Sequence, residues 1–169
     1  VYDRFRSQLE LPYLAANTPV VGSRRSAPYF GEYAILNAGA MRVALIGYTN
    51  PNIKSWIDPS LYSGYDIAPA NLDDVQRLVD KVQRVHKPDA VILSIHAGTG
   101  TGEAEDFENP ALYLASKLKG VDLVLAGHDH SPVVKVVDNP DRKVAFVNAG
   151  RHAASVGLCK ITLEYKQGK

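Results

Sequence analysis

Short apolar runs alternate with amphipathic stretches through the middle of the chain. Residues 41–47, 90–95 and 121–126 are apolar at most positions, which is typical of strands buried on both faces of a parallel sheet. Residues 72–86 carry apolar side chains at helical spacing, and residues 110–119 form a second helical stretch. The order strand, helix, strand, helix, strand predicts an α/β fold.

The predicted helices have recognisable ends. Asn71 and Asn109 precede them as favourable N-cap residues, Pro110 suits a first helical position, and Gly120 follows the second helix. His86 falls in the last turn of the first helix, where a histidine is tolerated. We therefore do not count His86 as a ligand.

Further strands are predicted towards both ends of the chain. A hairpin-type turn at 37–39 joins predicted strands over 33–36 and 41–47. After Pro132 the pattern predicts an antiparallel or mixed sheet beside the first, made of Val133–Val137, Val144–Val147 and Ser155–Leu163. Near the N-terminus it predicts a short helix within 1–10, a strand over 11–16 and a loop over 17–29.

The connection over residues 48–70 is long for a compact domain, and such loops are often functional. It contains Trp56, Tyr62 and Tyr65. These side chains either stack on a substrate or pack the loop onto the body of the protein, and we favour packing.

The composition is that of an ordinary globular domain, with 46% hydrophobic and 22% charged residues. A net charge of +1 argues against nucleic acid or an anionic membrane as a partner. No apolar run approaches the roughly 20 residues that span a bilayer. The single cysteine, Cys159, excludes an internal disulfide, and its strand-like surroundings predict a buried core thiol.

Two of the apolar strands end at histidine. His96 follows the first of these runs, and His128 and His130 follow the second, directly after Gly127. Because ligands bind outside the carboxyl ends of strands in parallel sheets, three imidazoles are expected to converge at one edge. Imidazole is the commonest metal ligand, so we predict a metal site at His96, His128 and His130. Structural histidines, hydrogen-bonded near the sheet edge, are the alternative.

Other polar residues fall near the same strand ends. Asp129 either orients an imidazole or faces solvent, and the sequence favours neither. His152 follows a turn and is expected at the surface, whereas Asn50 and Asn148 each follow a strand and could supply amide groups. The sequence contains no Gly-x-Ser-x-Gly nucleophile elbow and no phosphate-binding loop with a Gly-Lys-Ser/Thr ending.

Several motifs together carry a family resemblance. They are Ile95-His96-Ala97-Gly98, Gly127-His128-Asp129-His130 and Asn148-Ala149-Gly150, with residues 42–47 and 108–111 in support. They resemble the second half of a calcineurin-like metallophosphoesterase. The similarity is greatest to the 5′-nucleotidase and 2′,3′-cyclic-nucleotide 2′-phosphodiesterase branch, and it spans essentially the whole chain.

The resemblance implies part of a four-layer sandwich of mixed sheets and phosphoester hydrolysis in the intact enzyme. It implies two divalent metal ions (Zn, Mn or Fe), with His96 and His128 binding one and His130 the other. It also implies a nucleotide or other phosphoester substrate, a separate C-terminal nucleotide-binding domain, and a periplasmic or extracellular location.

The family's remaining metal ligands come from Asp-x-His, Gly-Asp-x-x-Asp and Gly-Asn-His-Glu motifs, none of which precedes His96 here. We therefore expect residues 1–169 to be a single partial catalytic domain, inactive alone, that holds at most one metal ion weakly. The family's Asn-His acid pair is also missing, so we assign no catalytic residue. We expect the incomplete sheet to be covered by a missing N-terminal half, a partner chain or a homo-oligomer. A related thiosulfohydrolase and a non-catalytic metal-binding subunit are the alternative functions.

Overall fold

The computed structural model describes residue 8, residues 11–22 and residues 29–164. The short helix predicted within 1–10 therefore lies, apart from residue 8, outside the described residues. No helix in the described ranges is long and apolar enough to cross a membrane.

A single mixed sheet of six strands forms the centre of the described part of the chain. In chain order the strands are β1 (Tyr33–Ala38), β2 (Met41–Tyr48), β3 (Ala90–Ile95), β4 (Leu123–Ala126), β5 (Val133–Asp138) and β6 (Lys143–Asn148). Their order in the sheet is β1-β2-β3-β4-β6-β5. The strands β2, β3, β4 and β6 are parallel, while β1 and β5 pair antiparallel at the two edges. The predicted α/β class is confirmed.

Two helices cover one face of this sheet. Helix α1 spans Leu72–His86 and helix α2 spans Ala111–Lys117. Their apolar side chains join alternate residues of the strands in one buried cluster, which includes Val79, Leu114, Ile46, Leu93 and Phe146. The two helices thus follow the predicted periodicity, and they fix β2, β3 and β4 in parallel as in other α/β units.

The two helix starts are stabilised differently. The Asn71 side chain accepts a hydrogen bond from the backbone N–H of Asp74, so Asn71 caps α1 as predicted. Asn109 does not cap α2, because Pro110 occupies the cap position and makes no side-chain cap bond. The first N–H groups of α2 instead donate to the carbonyls of Gly98 and Thr99 in the preceding loop.

The predicted second sheet is wrong. Strands β5 and β6 extend the first sheet, and β6 lies between β4 and β5. Its residues 144–147 are apolar on both faces, which suits a strand with two neighbours. The sequence pattern shows that these two segments are strands, but it does not show which strand β6 pairs with.

The predicted strand Ser155–Leu163 is also wrong, since these residues form no strand. Because β6 already pairs with β4 and β5, no edge of β6 is left for them. Val156 and Leu158 are exposed, and Cys159 is half-buried rather than a buried core thiol. The strand predicted over 11–16 is reduced to an isolated bridge between Leu14 and Gly31.

The face of the sheet opposite the helices, hereafter the open face, is largely apolar. It carries the alternate residues Val43, Leu45, Ile92, Leu123, Leu125 and Val147. At β2 it is covered by Leu14, which lies against Gly47. At the β5 edge it is uncovered, and Val134 and Val136 are 76% and 63% exposed.

Candidate functional site

The carboxyl ends of the four parallel strands meet at one edge of the sheet. The register pairs Tyr48 with Ile95, Ile95 with Ala126, and Ala126 with Asn148. The loops that follow these residues therefore leave the sheet side by side, and two of them begin with the histidine motifs. We call this part of the molecule the histidine edge.

Four of the five histidines lie along the histidine edge, in two pairs. The ring centroids of His96 and His128 are 5.3 Å apart, and those of His130 and His152 are 5.4 Å apart. His152 is exposed, as the sequence predicts, yet it also lies beside His130. The fifth histidine, His86, is hydrogen-bonded to the Tyr33 hydroxyl, and its backbone carbonyl accepts a hydrogen bond from the Arg42 side chain. Because Arg42 lies at the start of β2, His86 is at the opposite edge of the sheet.

The backbone at this edge adopts conformations that are rare for residues other than glycine. The φ angles of His128, His130 and His152 are 110°, 59° and 55°. Such conformations persist where the surrounding structure fixes them, and they cluster at functional sites. The φ of Gly127, the residue expected to permit unusual dihedrals, is not positive, so the strain falls on the histidines themselves.

The imidazoles suit a divalent transition metal as donors. Burial lowers the pKa of His96 below its usual value, and the neighbouring His128 and His130 lower it further. His96 is therefore neutral at neutral pH and keeps a lone pair for a cation. Within the described ranges, however, no three histidine, cysteine, aspartate or glutamate side chains are placed so that they could hold a metal ion. The histidine edge offers donors of the right kind but not a complete ligand set.

Glu108 and Trp56 hold the ring of His128. A carboxylate oxygen of Glu108 lies 2.6 Å from Nε2 of His128. The Trp56 ring stacks on the imidazole, with centroids 5.1 Å apart and planes 19° from parallel. Sequence reasoning missed both contacts. The acidic character of the loop was the available signal, but Glu108 lies 20 residues from His128 along the chain.

Asp129 fits neither of its two predicted roles. Its carboxylate accepts hydrogen bonds from the Thr99 N–H and from the Asn148 side chain, both at 2.7 Å, and so ties together the loops after β3, β4 and β6. Burial alone would raise the pKa of Asp129, but the hydrogen bonds from Thr99, Asn148 and Ser131 lower it below its usual value. Asp129 is therefore an ionised carboxylate that positions backbone.

The side-chain amides of Asn50 and Asn148 are likewise engaged in hydrogen bonds within the protein. Asn50 and Asn148 are each only 1% exposed. The Asn50 amide donates to the Glu108 carbonyl and accepts from the Asn52 N–H. The Asn148 oxygen accepts from the Gly150 N–H. Both residues shape the loops of the histidine edge.

Trp56 and Tyr65 of the long connection pack onto the body of the protein, as favoured from the sequence, while the Tyr62 hydroxyl donates to the Lys54 carbonyl within the connection. This connection contains two 3₁₀ turns, Pro51–Ser55 and Pro59–Tyr62. Tyr65 stacks on Tyr29 with a centroid distance of 4.9 Å. Trp56 packs on His128 and remains half exposed.

A cavity of about 470 Å³ opens beside His96. Its lining mixes apolar and polar side chains, among them Leu45, Ile53, Tyr65, Thr49 and Ser94. This volume falls in the range of small-molecule sites. The histidine edge is therefore accessible to a ligand from the side of the open face.

A family model described as bacterial capsule synthesis protein PGA_cap matches residues 13–146. The chain belongs to this family. The PGA_cap match includes β1 to β5 and both helices, together with His96, His128 and His130. It ends within β6, before His152.

Curated relatives of this PGA_cap domain are nucleotide-hydrolysing enzymes by name. The snake venom 5′-nucleotidase of Gloydius brevicauda is 28% identical over 131 residues, which make up 76% of this chain and 20% of that protein. The 2′,3′-cyclic-nucleotide 2′-phosphodiesterase/3′-nucleotidase of Salmonella typhimurium (strain LT2) is 24% identical over 131 residues, or 72% of this chain and 20% of that protein. The chain thus spans about a fifth of the length of these curated relatives.

The fold also matches a solved metallophosphoesterase structure. The calcineurin-like phosphoesterase YfkN from Bacillus subtilis aligns with a TM-score of 0.67 and 19% sequence identity, over 83% of this chain and 47% of that one. This match supports the fold, and the family model with the curated relatives bears out the predicted calcineurin-like phosphoesterase and 5′-nucleotidase family. The described sheet and helices correspond to part of such a structure.

Proposed function

We propose that the protein carrying this chain hydrolyses phosphoesters of nucleotides at divalent metal ions, as a 5′-nucleotidase or a cyclic-nucleotide phosphodiesterase. The observation that carries the proposal is the pairing of His96 with His128 at the carboxyl edge of the parallel strands. That edge is where α/β sheets bind their ligands. Because the names of the curated relatives give nucleotides as their substrates, we favour a nucleotide substrate over that of a thiosulfohydrolase.

We propose His96, His128 and His130 as this chain's ligands to the metal ions. The remaining ligands would come from outside the chain, because the described residues supply no complete set. The lengths of the relatives favour the same division, since the matched region is about a fifth of each. In this proposal the chain is a partial catalytic domain and needs the rest of the site for turnover.

The residues of this chain would prepare the site rather than perform the chemistry. When bound, divalent ions in such sites polarise the phosphoester and supply a nucleophilic water-derived oxygen. His96 and His128 offer imidazole nitrogens, and Glu108 and Trp56 fix the ring of His128. Asp129 and Asn148 hold the loops that carry the histidines at a fixed separation. The ring of His128 and the loops that carry the histidines are thus held in place before a substrate arrives.

The experiment is hydrolysis of bis(4-nitrophenyl) phosphate, AMP and 2′,3′-cyclic AMP by the full-length protein, before and after chelation. We expect chelation to abolish turnover, Mn²⁺ or Zn²⁺ to restore it, and His128→Ala to reduce it about 100-fold or more, since second-sphere losses alone reach 10–100-fold. His86→Ala, at the opposite edge, is the control and should retain activity. Turnover that survives both chelation and His128→Ala would contradict the proposed function.

A further inference from the structure

Glu108 is held in place from three loops of the histidine edge. Its carbonyl accepts hydrogen bonds from the buried Asn50 side chain at 3.2 Å and from the Gly98 N–H at 3.3 Å. Its second carboxylate oxygen accepts from the Asn52 side chain at 3.1 Å. The first carboxylate oxygen faces Nε2 of His128. With its backbone carbonyl and both of its carboxylate oxygens engaged, Glu108 is held facing His128.

This contact determines which nitrogen of His128 is available. An ionised carboxylate only accepts hydrogen bonds, so at 2.6 Å the proton must lie on Nε2 of the imidazole. A neutral histidine protonated at Nε2 carries its lone pair on Nδ1. The stacked Trp56 ring fixes the plane of the His128 imidazole. The His96 ring approaches the His128 imidazole at an interplanar angle of 67°. The orientation and the tautomer of His128 are both set by contacts within this chain.

We propose that Glu108 is a positioning residue that holds His128 as the Nε2–H tautomer, so that Nδ1 is its cation-binding atom. This inference rests on the proposed function, because it assumes that His128 binds a cation. Glu108 itself acts through His128 and does not bind the metal. Carboxylates that orient histidine ligands typically contribute 10–100-fold to metal affinity.

The experiment compares Glu108→Ala and Glu108→Gln in the full-length protein, with Glu103→Ala as the matched control. Glu103 is an exposed glutamate of the same loop. In a Zn²⁺ or Mn²⁺ titration, we expect Glu108→Ala to raise the Kd about 10- to 100-fold. Glu108→Gln should recover most of that loss, because an amide oxygen also accepts a hydrogen bond from Nε2–H. Glu103→Ala should match the wild type.

A second readout does not depend on bound metal. Long-range ¹⁵N–¹H correlation spectra of histidine-labelled, metal-free protein report the tautomer, and His128→Ala identifies the signal of His128. We expect the Nε2–H form in the wild type and in Glu108→Gln, and a mixed population in Glu108→Ala. An unchanged tautomer and metal affinity in Glu108→Ala would overturn the inference. Equally weak metal binding by Glu108→Gln and Glu108→Ala would also overturn it, since that result would indicate that the carboxylate of Glu108 binds the metal directly.

The same data separate this inference from the proposed function. If His128→Ala lowers metal affinity and Glu108→Ala does not, the metal site stands and the positioning role falls. If His128→Ala leaves metal affinity unchanged, the proposed function of His128 fails, whatever the tautomer spectra show.

Discussion

At the scale of single residues, the histidine edge concentrates backbone strain where the donors lie. Residues other than glycine in sparsely populated φ regions cost about 1–3 kcal/mol each. His128, His130 and His152 all adopt positive φ, and the hydrogen bonds of Asp129 tie down the loop that contains the first two. The strain is therefore maintained by specific contacts, which favours a functional reason for the arrangement.

A metal titration tests the roles of the individual histidines. We expect His128→Ala to weaken divalent metal binding much more than His152→Ala, because His128 is fixed by Glu108 and Trp56 whereas His152 is exposed and contacts only His130 among the histidines. His86→Ala should leave the affinity unchanged. Isothermal titration of the four proteins with Zn²⁺ measures the difference. Equal losses in His128→Ala and His152→Ala would contradict the assignment.

Sequence reasoning reached the histidines but not their partners. His96 and His128 follow strands whose apolar runs identify them as parallel and buried, so their convergence could be predicted. The contact of Glu108 with His128 depends on the path of an irregular loop, which has no periodicity to read. Trp56 was assigned to packing, but nothing in its spacing pointed to an imidazole as its partner.

At the scale of elements, the strand ends are positioned by close packing between backbone segments. Gly47, near the end of β2, lies directly beneath Leu14, and the Ala16 N–H donates to the Gly47 carbonyl at 2.7 Å. Strand β2 is thus fixed on the open face just before the loop that leads to Trp56. A side chain at position 47 would separate the two segments.

The substitution Gly47→Ala tests this packing. The added Cβ would lie 2.7 Å from the carbonyl oxygen of Leu14, a backbone atom that cannot rotate away. Overpacking of this kind costs about 1–3 kcal/mol, so we expect a lower free energy of unfolding in urea. Gly64→Ala is the control, because a Cβ there meets nothing within 4 Å. Equal stability of the two variants would show that the Leu14 segment is not packed as described.

Helix bounds were more predictable than strand partners. The apolar stripe and the Asn71 cap predict α1 over 72–86, and the structure has the same bounds. The strands after Pro132 were recognised as strands but assigned to a second sheet. The failure at Ser155–Leu163 has the same origin, because an alternating pattern shows that a segment can be a strand and not whether an edge is free for it.

At the scale of the whole molecule, the helices cover one face of the sheet, and the open face is covered only in part. The helices bury one side, whereas the open face exposes Val134 and Val136 at the β5 edge. Exposed edge strands with apolar side chains associate with other chains unless something covers them. The fold class could be predicted from the alternation of strands and helices, but what covers the open face could not, because it is not encoded in the pattern of this chain.

The open face predicts that the 169-residue chain, expressed alone, self-associates. We expect light scattering to show a mass that rises with concentration, and Val134→Lys to shift the population towards the monomer. Val85→Lys is the control, since Val85 is 58% exposed on α1 and lies outside the sheet. A compact monomer at every concentration, or an equal effect of the two substitutions, would contradict this prediction.

The central claim is that the histidine edge binds divalent cations, and anomalous diffraction tests it most directly. Crystals of the full-length protein grown with Zn²⁺ are measured on both sides of the zinc absorption edge. We predict an anomalous peak about 2.0–2.1 Å from an imidazole nitrogen of His96 and from Nδ1 of His128, the usual zinc–nitrogen distance. An anomalous peak elsewhere in the protein, with these two rings in place and no zinc between them, would contradict the claim.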